Sequence, residues 1–425
     1  MTEPVARTLA RAREAITLQA WSEAFELLTE ADRLDQLDAD GLTMLADAAY
    51  LAGSPGSSRA ATERLYVAHL ARGDNNAAAA AAARVAGLLL EEGLMSPLRA
   101  WATRARGLLE NDPDSTVHGT LANVMMWAAI ASGDGEAALA EARRAIEVGT
   151  HDGEPAIRAL GLNGEGRALI LLGQIQEGLA LLDESTVAAM SGELDPISTA
   201  ALFCSTVCAL QALAEYDRAE EWTRVMERWV EEHAVGPFRG WCRVHRAEIL
   251  RLRGQWRDAE GEARRGFEEV RSVAGIDRGW PLTEMANIRL RTGDLQGAEE
   301  AFIQARELGW EPQPGLALLR LARRDVRGAA DEIKEALEHP PEFTGWERPP
   351  NSHLRRAPLL AAQVEIATAG GDLELADCAA EELENIAETL GTTAIRAAAA
   401  SSRGVAQLAR GNMAEARRSL EAGTR

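Results

Sequence analysis

At 425 residues and 45.7 kDa, the chain is too long for one ordinary compact core and calls for several domains or a repeat array. Its 46% hydrophobic fraction is largely Ala and Leu and its aromatic fraction only 4%, which favours helices over sheets. A formal net charge of −21 opposes binding to DNA or to anionic membrane surfaces.

The opening residues, MTEPVARTLARAREA, lack the apolar core of a signal peptide, and no later stretch supplies roughly 18 uninterrupted apolar residues. A soluble cytoplasmic protein is the expectation. Cys204, Cys208, Cys242 and Cys378 are too few and too scattered for a disulfide framework, so reduced thiols are expected. Lys334 is the only lysine, which excludes a Walker A loop and leaves one possible Schiff-base residue.

In chain order, residues 1–130 predict the less regular repeats. QAWSEAFELL (19–28), AGSPGSSRAATERL (52–65) and EEGLMSPLRAWATRARGLL (91–109) read as turns followed by helices, and NNAAAAAAARVAGLLL (75–90) as a buried helix. From 131 to 338 one turn recurs: a usually small residue, four mostly polar or turn-forming residues, then Ala or Gly opening an apolar helical pattern. It appears as GDGEAA (133–138), GQIQEG (173–178), AEYDRA (214–219), GQWRDA (254–259), GDLQGA (293–298) and RDVRGA (324–329), then again in 353–425 as GDLELA (371–376) and GNMAEA (411–416). The sixth residues stand 40, 41, 40, 39, 31, 47 and 40 positions apart, and the short and long intervals together make two ordinary ones. This is an array with a period of about forty residues. HPPEFTGWERPPNS (339–352) reads as a loop inserted between repeats, because the phase resumes after it.

Pro113, Pro155, Pro196, Pro237 and Pro281 form a second, out-of-phase beat and predict helix starts, where proline is tolerated. Each repeat is therefore two helices joined by a tight turn. Two antiparallel helices approach most closely beside a short loop, so the sixth position must be small: Ala138, Gly178, Ala219, Ala259, Ala298, Ala329, Ala376 and Ala416.

Four groups of side chains are candidates for chemistry. Cys204 and Cys208 are four apart on one helical face, and Cys242 and His245 three apart in the next repeat; they are expected to fill helix contacts as packing residues, with a four-ligand zinc site as the alternative. Arg239, Arg243, Arg246 and Arg253 share a face, suited either to an anionic ligand or to ion pairs with acidic neighbours such as EEW (220–222) and EEH (231–233). Trp222, Trp229, Trp241 and Trp256 read chiefly as core and inter-repeat contacts. His245 and Glu248 are spaced as an acid/base pair, but no GxSxG, HExxH or GxGxxG accompanies them, and GLNGEGRA (161–168) reads as close helix packing. The candidate ligand-binding set is Arg239, Trp241, Arg243, His245, Arg246 and Glu248, with no catalytic residue, metal or cofactor assigned.

The stretches 192–230, 237–265, 311–325 and the tail AAAASSRGVAQLARGNMAEARRSLEAG resemble tetratricopeptide-like repeats, specifically the MalT-like repeat region of bacterial LuxR-type transcriptional regulators. The resemblance covers most of the chain. It implies an all-α, right-handed α-solenoid over residues 1–425, its inner face formed by the first helix of each hairpin. It also implies a non-enzymatic signal-sensing or protein-interaction module, part of or partner to a transcriptional regulator, that binds a peptide, protein or small ligand on its concave face. No NTPase or helix-turn-helix segment is visible, so any transcriptional control would be indirect, without nucleic-acid contact by this chain. The short segment after Ala416 is expected to leave an apolar edge for a partner. The alternative is a small-molecule-binding protein or enzyme with an enclosed pocket in the concavity.

Overall fold

A computed structural model of the chain describes residues 3–233, 237–270, 278–340 and 352–424. All of its regular structure is α-helical. In the first part, α1 (Glu3–Thr17) pairs with α2 (Trp21–Leu34), α3 (Ala39–Leu51) with α4 (Pro55–Ala71), α5 (Asn75–Glu91) with α6 (Met95–Leu108), and α7 (Val117–Ala131) with α8 (Gly135–His151). Then come α9 (Pro155–Leu171) with α10 (Ile175–Met190), α11 (Pro196–Ala212) with α12 (Tyr216–Glu232), α13 (Pro237–Leu252) with α14 (Trp256–Val270), and α15 (Gly279–Thr292) with α16 (Leu295–Glu307). The remaining hairpins are α17 (Gly315–Ala322) with α18 (Val326–Glu338), α19 (Ser352–Gly370) with α20 (Leu373–Leu390), and α21 (Thr393–Ala409) with α22 (Met413–Ala422). Every helix packs on the next, and from α5 onward each odd-numbered helix also packs on the following odd one, while the even helices form no comparable ladder. The molecule is an α-solenoid with the first helix of each hairpin inside.

The forty-residue beat is the hairpin turn. Ala138, Ala219, Ala259, Ala298, Ala329 and Ala376 are fully buried, and Gly178 and Ala416 are buried too. Each turn closes with a left-handed residue that caps the first helix, as at Gly133, Gly173, Gly254, Gly293, Gly371 and Gly411. As Gln19 does at φ 54° between α1 and α2, two turns of this beat hold a side chain at that position: Ala214 at φ 58° and Arg324 at φ 66°. Both keep the capping bonds, Glu215 N donating to Leu210 O at 2.8 Å and Asp325 N to Arg320 O at 2.9 Å. A Cβ in this region is strained, so Ala214→Gly and Arg324→Gly should each raise stability by about 1 kcal/mol in urea titrations.

Prolines 155, 196 and 237 open α9, α11 and α13, and Pro281 sits in the first turn of α15. Pro113 differs: it lies in the loop before α7, which starts at Val117. That loop is held by side chains instead, with Asn76 Nδ2 donating to Asp112 and Ser115 and Val117 N donating to Ser115 Oγ. The short 31-residue interval has its cause in α17, which has only eight residues. Most of the inserted segment 339–352 lies outside the described residues. The alanine-rich stretch forms α5, buried at Ala78, Ala79, Ala81–83, Val85, Ala86 and Leu88–90. In GLNGEGRA, a Cβ on Gly161, Gly164 or Gly166 would meet Ile146, Met126 or the carbonyl of Gly178 at under 3.0 Å, so these glycines serve close packing.

Around α9–α11 the core carries a buried polar knot. Asn163 donates to Ser185 and Thr206, Ser205 donates to Asn163, and Thr186 bonds Thr206. Such a fully partnered network favours one register between neighbouring helices. In α21 and α22, Leu408, Met413 and Leu420 are exposed. No helix among the described residues is long and apolar enough to cross a membrane.

Candidate functional site

The inner helices bend around a cavity of about 610 Å³, lined from α11, α13, α15, α17, α19 and α21. Trp280, Trp310 and Leu318 supply apolar wall; Tyr216, Glu248, Arg251, Glu284, Asn287, Glu311, Arg355 and Glu365 supply polar groups. Its size is that of a small-ligand site. At its edge the start of α19 crosses the concavity: Leu354 borders a crevice with Ile130, Arg167, Ile170, Leu171, Ala209 and Ala212, and shares one apolar cluster with Ile170, Leu210 and Leu213. Helices five hairpins apart thus meet.

Two arginines of the cavity differ in their partners. Arg251 is bound by Glu284 at 2.6 Å and by Glu248 at 3.5 Å, and Glu284 is almost wholly buried. Burial and the neighbouring Glu248 carboxylate push the Tyr216 phenol well above its ordinary range, so it stays neutral. Arg355, half-buried on α19, makes no hydrogen bond or ion pair among the described residues. Burial lowers its pKa, and the nearby Glu311 offsets this only in part.

Of the six sequence-predicted residues, only Glu248 lines this cavity. Arg243 is held between Glu262 at 2.9 Å and Glu269 at 3.0 Å, both on α14, and Arg239 also faces Glu269. Arg246 pairs with Glu227, and Arg253 with Glu220, on α12 of the preceding hairpin. The arginine row therefore ties α13 to the two outer helices flanking it, as the ion-pairing expectation had it, though through Glu220 and Glu227 rather than the EEH stretch. Trp241 stacks on Trp280 with ring centroids 6.2 Å apart, while Trp222 and Trp229 pack on Phe203. Lys334, on the outer helix α18, is exposed beside Glu338.

Glu262 adds a pH dependence. Burial alone would push its carboxyl up, but hydrogen bonds and charge from Arg243 and Arg265 outweigh this and hold it below its ordinary value of 4.5. Its stabilising contribution is complete above that value and is lost as pH falls through the lowered one. The stability advantage of the wild type over Glu262→Gln, followed by urea unfolding at several pH values, should therefore shrink as the solution is acidified below 4.5.

His245 is fully buried on α13. Gln211 of α11 donates from Nε2 to the His245 carbonyl at 3.1 Å. A carbonyl can only accept, so the amide orientation is fixed and Gln211 Oε1 faces the imidazole, where it takes the Nδ1 proton. Nε2 is then the unprotonated nitrogen, facing Cys204 Sγ at 3.7 Å and Cys208 Sγ at 3.5 Å. Burial pushes the His245 pKa down to about 3, keeping the ring neutral. Cys242 is not one of these clustered donors; it sits in the apolar cluster of Phe203 and Met226, against which Cys204 also packs, and burial with the nearby Glu227 charge pushes its thiol up to about 12. The ring of His245 meets Trp280 edge-on at 4.9 Å. Sequence reasoning missed Gln211, Arg251, Trp280, Glu284 and Arg355; besides Glu248, the 41-residue offset between Cys204 and His245, one full period, signalled this neighbourhood.

No protein-family model matches the chain, and no curated protein does. Among solved structures, a Rap protein complexed with competence and sporulation factor is similar at 14% identity, covering 87% of this chain and 100% of that chain with a TM-score of 0.48. At that similarity nothing of its function passes to this chain.

Proposed function

We propose that this solenoid is a non-enzymatic binding module that takes a short peptide in the cavity between α11 and α21. Arg355 carries this reading: a half-buried guanidinium with no ion pair among the described residues pays for desolvation that a ligand carboxylate would recover. Glu311 and Glu365 offer acceptors for the cationic groups of the same peptide, and Trp280 and Trp310 offer apolar surface to its side chains. Because the cavity is assembled from six successive inner helices, occupancy would bias the curvature of the whole array. Its placement in the transcriptional control circuit of a bacterial regulator rests on the resemblance of its repeats alone, and such control would run through a protein partner.

Affinity selection of short peptides, with free and with amidated C-termini, tests this on the purified chain. Selected peptides should bind at least about tenfold more weakly to Arg355→Ala, or when amidated, since a charge-assisted contact is worth roughly 1.5–3 kcal/mol. Enrichment that ignores both changes would overturn the assignment of Arg355. A small carboxylate metabolite filling the same cavity is the alternative, favoured by the cavity's volume; it would compete with selected peptides in the wild type and not in Arg355→Ala.

A further inference from the structure

Cys204 Sγ, Cys208 Sγ and His245 Nε2 lie within 4.8 Å of one another. Both sulfurs face the same imidazole nitrogen, at 3.7 and 3.5 Å, so that three donor atoms of metal-ligating type converge on one point. With Zn–S of about 2.3 Å and Zn–N of about 2.0–2.1 Å, a tetrahedral ion sets sulfur and nitrogen about 3.6 Å apart, which is the spacing found. The far side of the imidazole is prepared as metal-bound histidines are: Nδ1–H donates to an amide oxygen whose orientation the backbone fixes, aiming Nε2 at the sulfurs.

We propose that Cys204, Cys208 and His245 bind one Zn²⁺, with the fourth position open to water or an incoming donor on the side of Cys204, the partly exposed member of the set. Binding releases the two thiol protons to solvent. Two thiolates, a neutral imidazole and Zn²⁺ then carry no net charge, which suits a buried site, whereas Cu⁺ would leave a net negative charge there. The ion clamps α11 to α13. Gln211 and Trp280, which touch His245, also line the cavity, so the metal would set the shape of one cavity wall. This inference stands on the donor geometry and does not depend on a peptide occupying the cavity.

The test is titration of the full metal-free chain with Co²⁺ as a spectroscopic stand-in, followed by Zn²⁺. One equivalent of Co²⁺ should bind with thiolate charge-transfer bands and the intense d–d absorption of four-coordination, and Zn²⁺ should displace it. Zn²⁺ affinity, measured against a chromogenic chelator, should fall by about tenfold or more in Cys204→Ser, Cys208→Ser and His245→Gln, and stay unchanged in Cys242→Ser and Cys378→Ser. Because His245→Gln disturbs a buried site, the Cys204→Ser/Cys208→Ser double variant, checked for native helicity by circular dichroism, is the deciding variant. Co²⁺ binding without thiolate bands, or stoichiometric Zn²⁺ binding that survives in the double variant, overturns the site. Tight Cu⁺ binding that Zn²⁺ cannot match overturns the choice of ion.

Discussion

Gly178→Val should destabilise the chain by about 3 kcal/mol, at the upper end of what overpacking costs. A Cβ at Gly178 would stand 2.5 Å from the Gly166 carbonyl oxygen and 2.8 Å from Ile170 Cγ1, and a Cβ at Gly166 would stand 2.7 Å from the Gly178 carbonyl. The contact is backbone on backbone, so no rotamer change relieves it. The valine forces α9 and α10 apart beside their shared turn and loosens the polar knot of Asn163, Ser185 and Thr206 on the adjoining faces. In a stack whose units touch mainly their neighbours, the damage should begin locally. Hydrogen exchange should show lost protection first in α9, α10 and the helices touching them, with a lower denaturant midpoint overall. Gly261→Ala is the matched control: nothing lies within 4 Å of its Cβ, and replacing a mid-helix glycine should gain about 0.5–1 kcal/mol.

Arg251→Ala should cost about 3–5 kcal/mol, because it strands the Glu284 carboxylate at a nearly solvent-free position. The penalty belongs to the orphaned charge more than to the pair. The double variant Arg251→Met/Glu284→Leu, which removes both charges and keeps most of the volume, should therefore recover most of the loss. Urea unfolding of the four members of this cycle gives the coupling energy directly. A double variant as unstable as Arg251→Ala would mean that Arg251 works through packing of its stem instead.

The repeat architecture was legible in the sequence because its determinants are local. A hairpin turn needs a left-handed residue, a small residue at the closest approach and a permitted proline at the next helix start, and all three recur at fixed offsets. Pro113 misled because a loop tied by Asn76 and Ser115 can hold a proline without starting a helix. Ala214 and Arg324 show the reverse, a left-handed position kept without its glycine. The arginines of α13 were visible as a face, but a helical wheel does not say which neighbour that face meets, and here it meets the glutamates of the outer helices. The cavity was illegible for a different reason. Arg251 and Arg355 sit in different hairpins and Trp310 in the link between α16 and α17, and they converge only through the accumulated rotation from one unit to the next, a sum that no single repeat encodes. Cys204 and His245 lie between these extremes, since one whole period separates them and equivalent positions on successive inner helices become neighbours.

Leu354 has a mechanical consequence. A helical stack stretched from its ends ordinarily lengthens like a soft spring, each unit yielding slightly. Here the start of α19 is seated against α9 and α11, which lie five and four hairpins upstream, and that latch must let go before the coil can open. Pulled in an optical trap, the molecule should stay stiff at low force, give one abrupt extension as the latch parts, and only then unravel hairpin by hairpin.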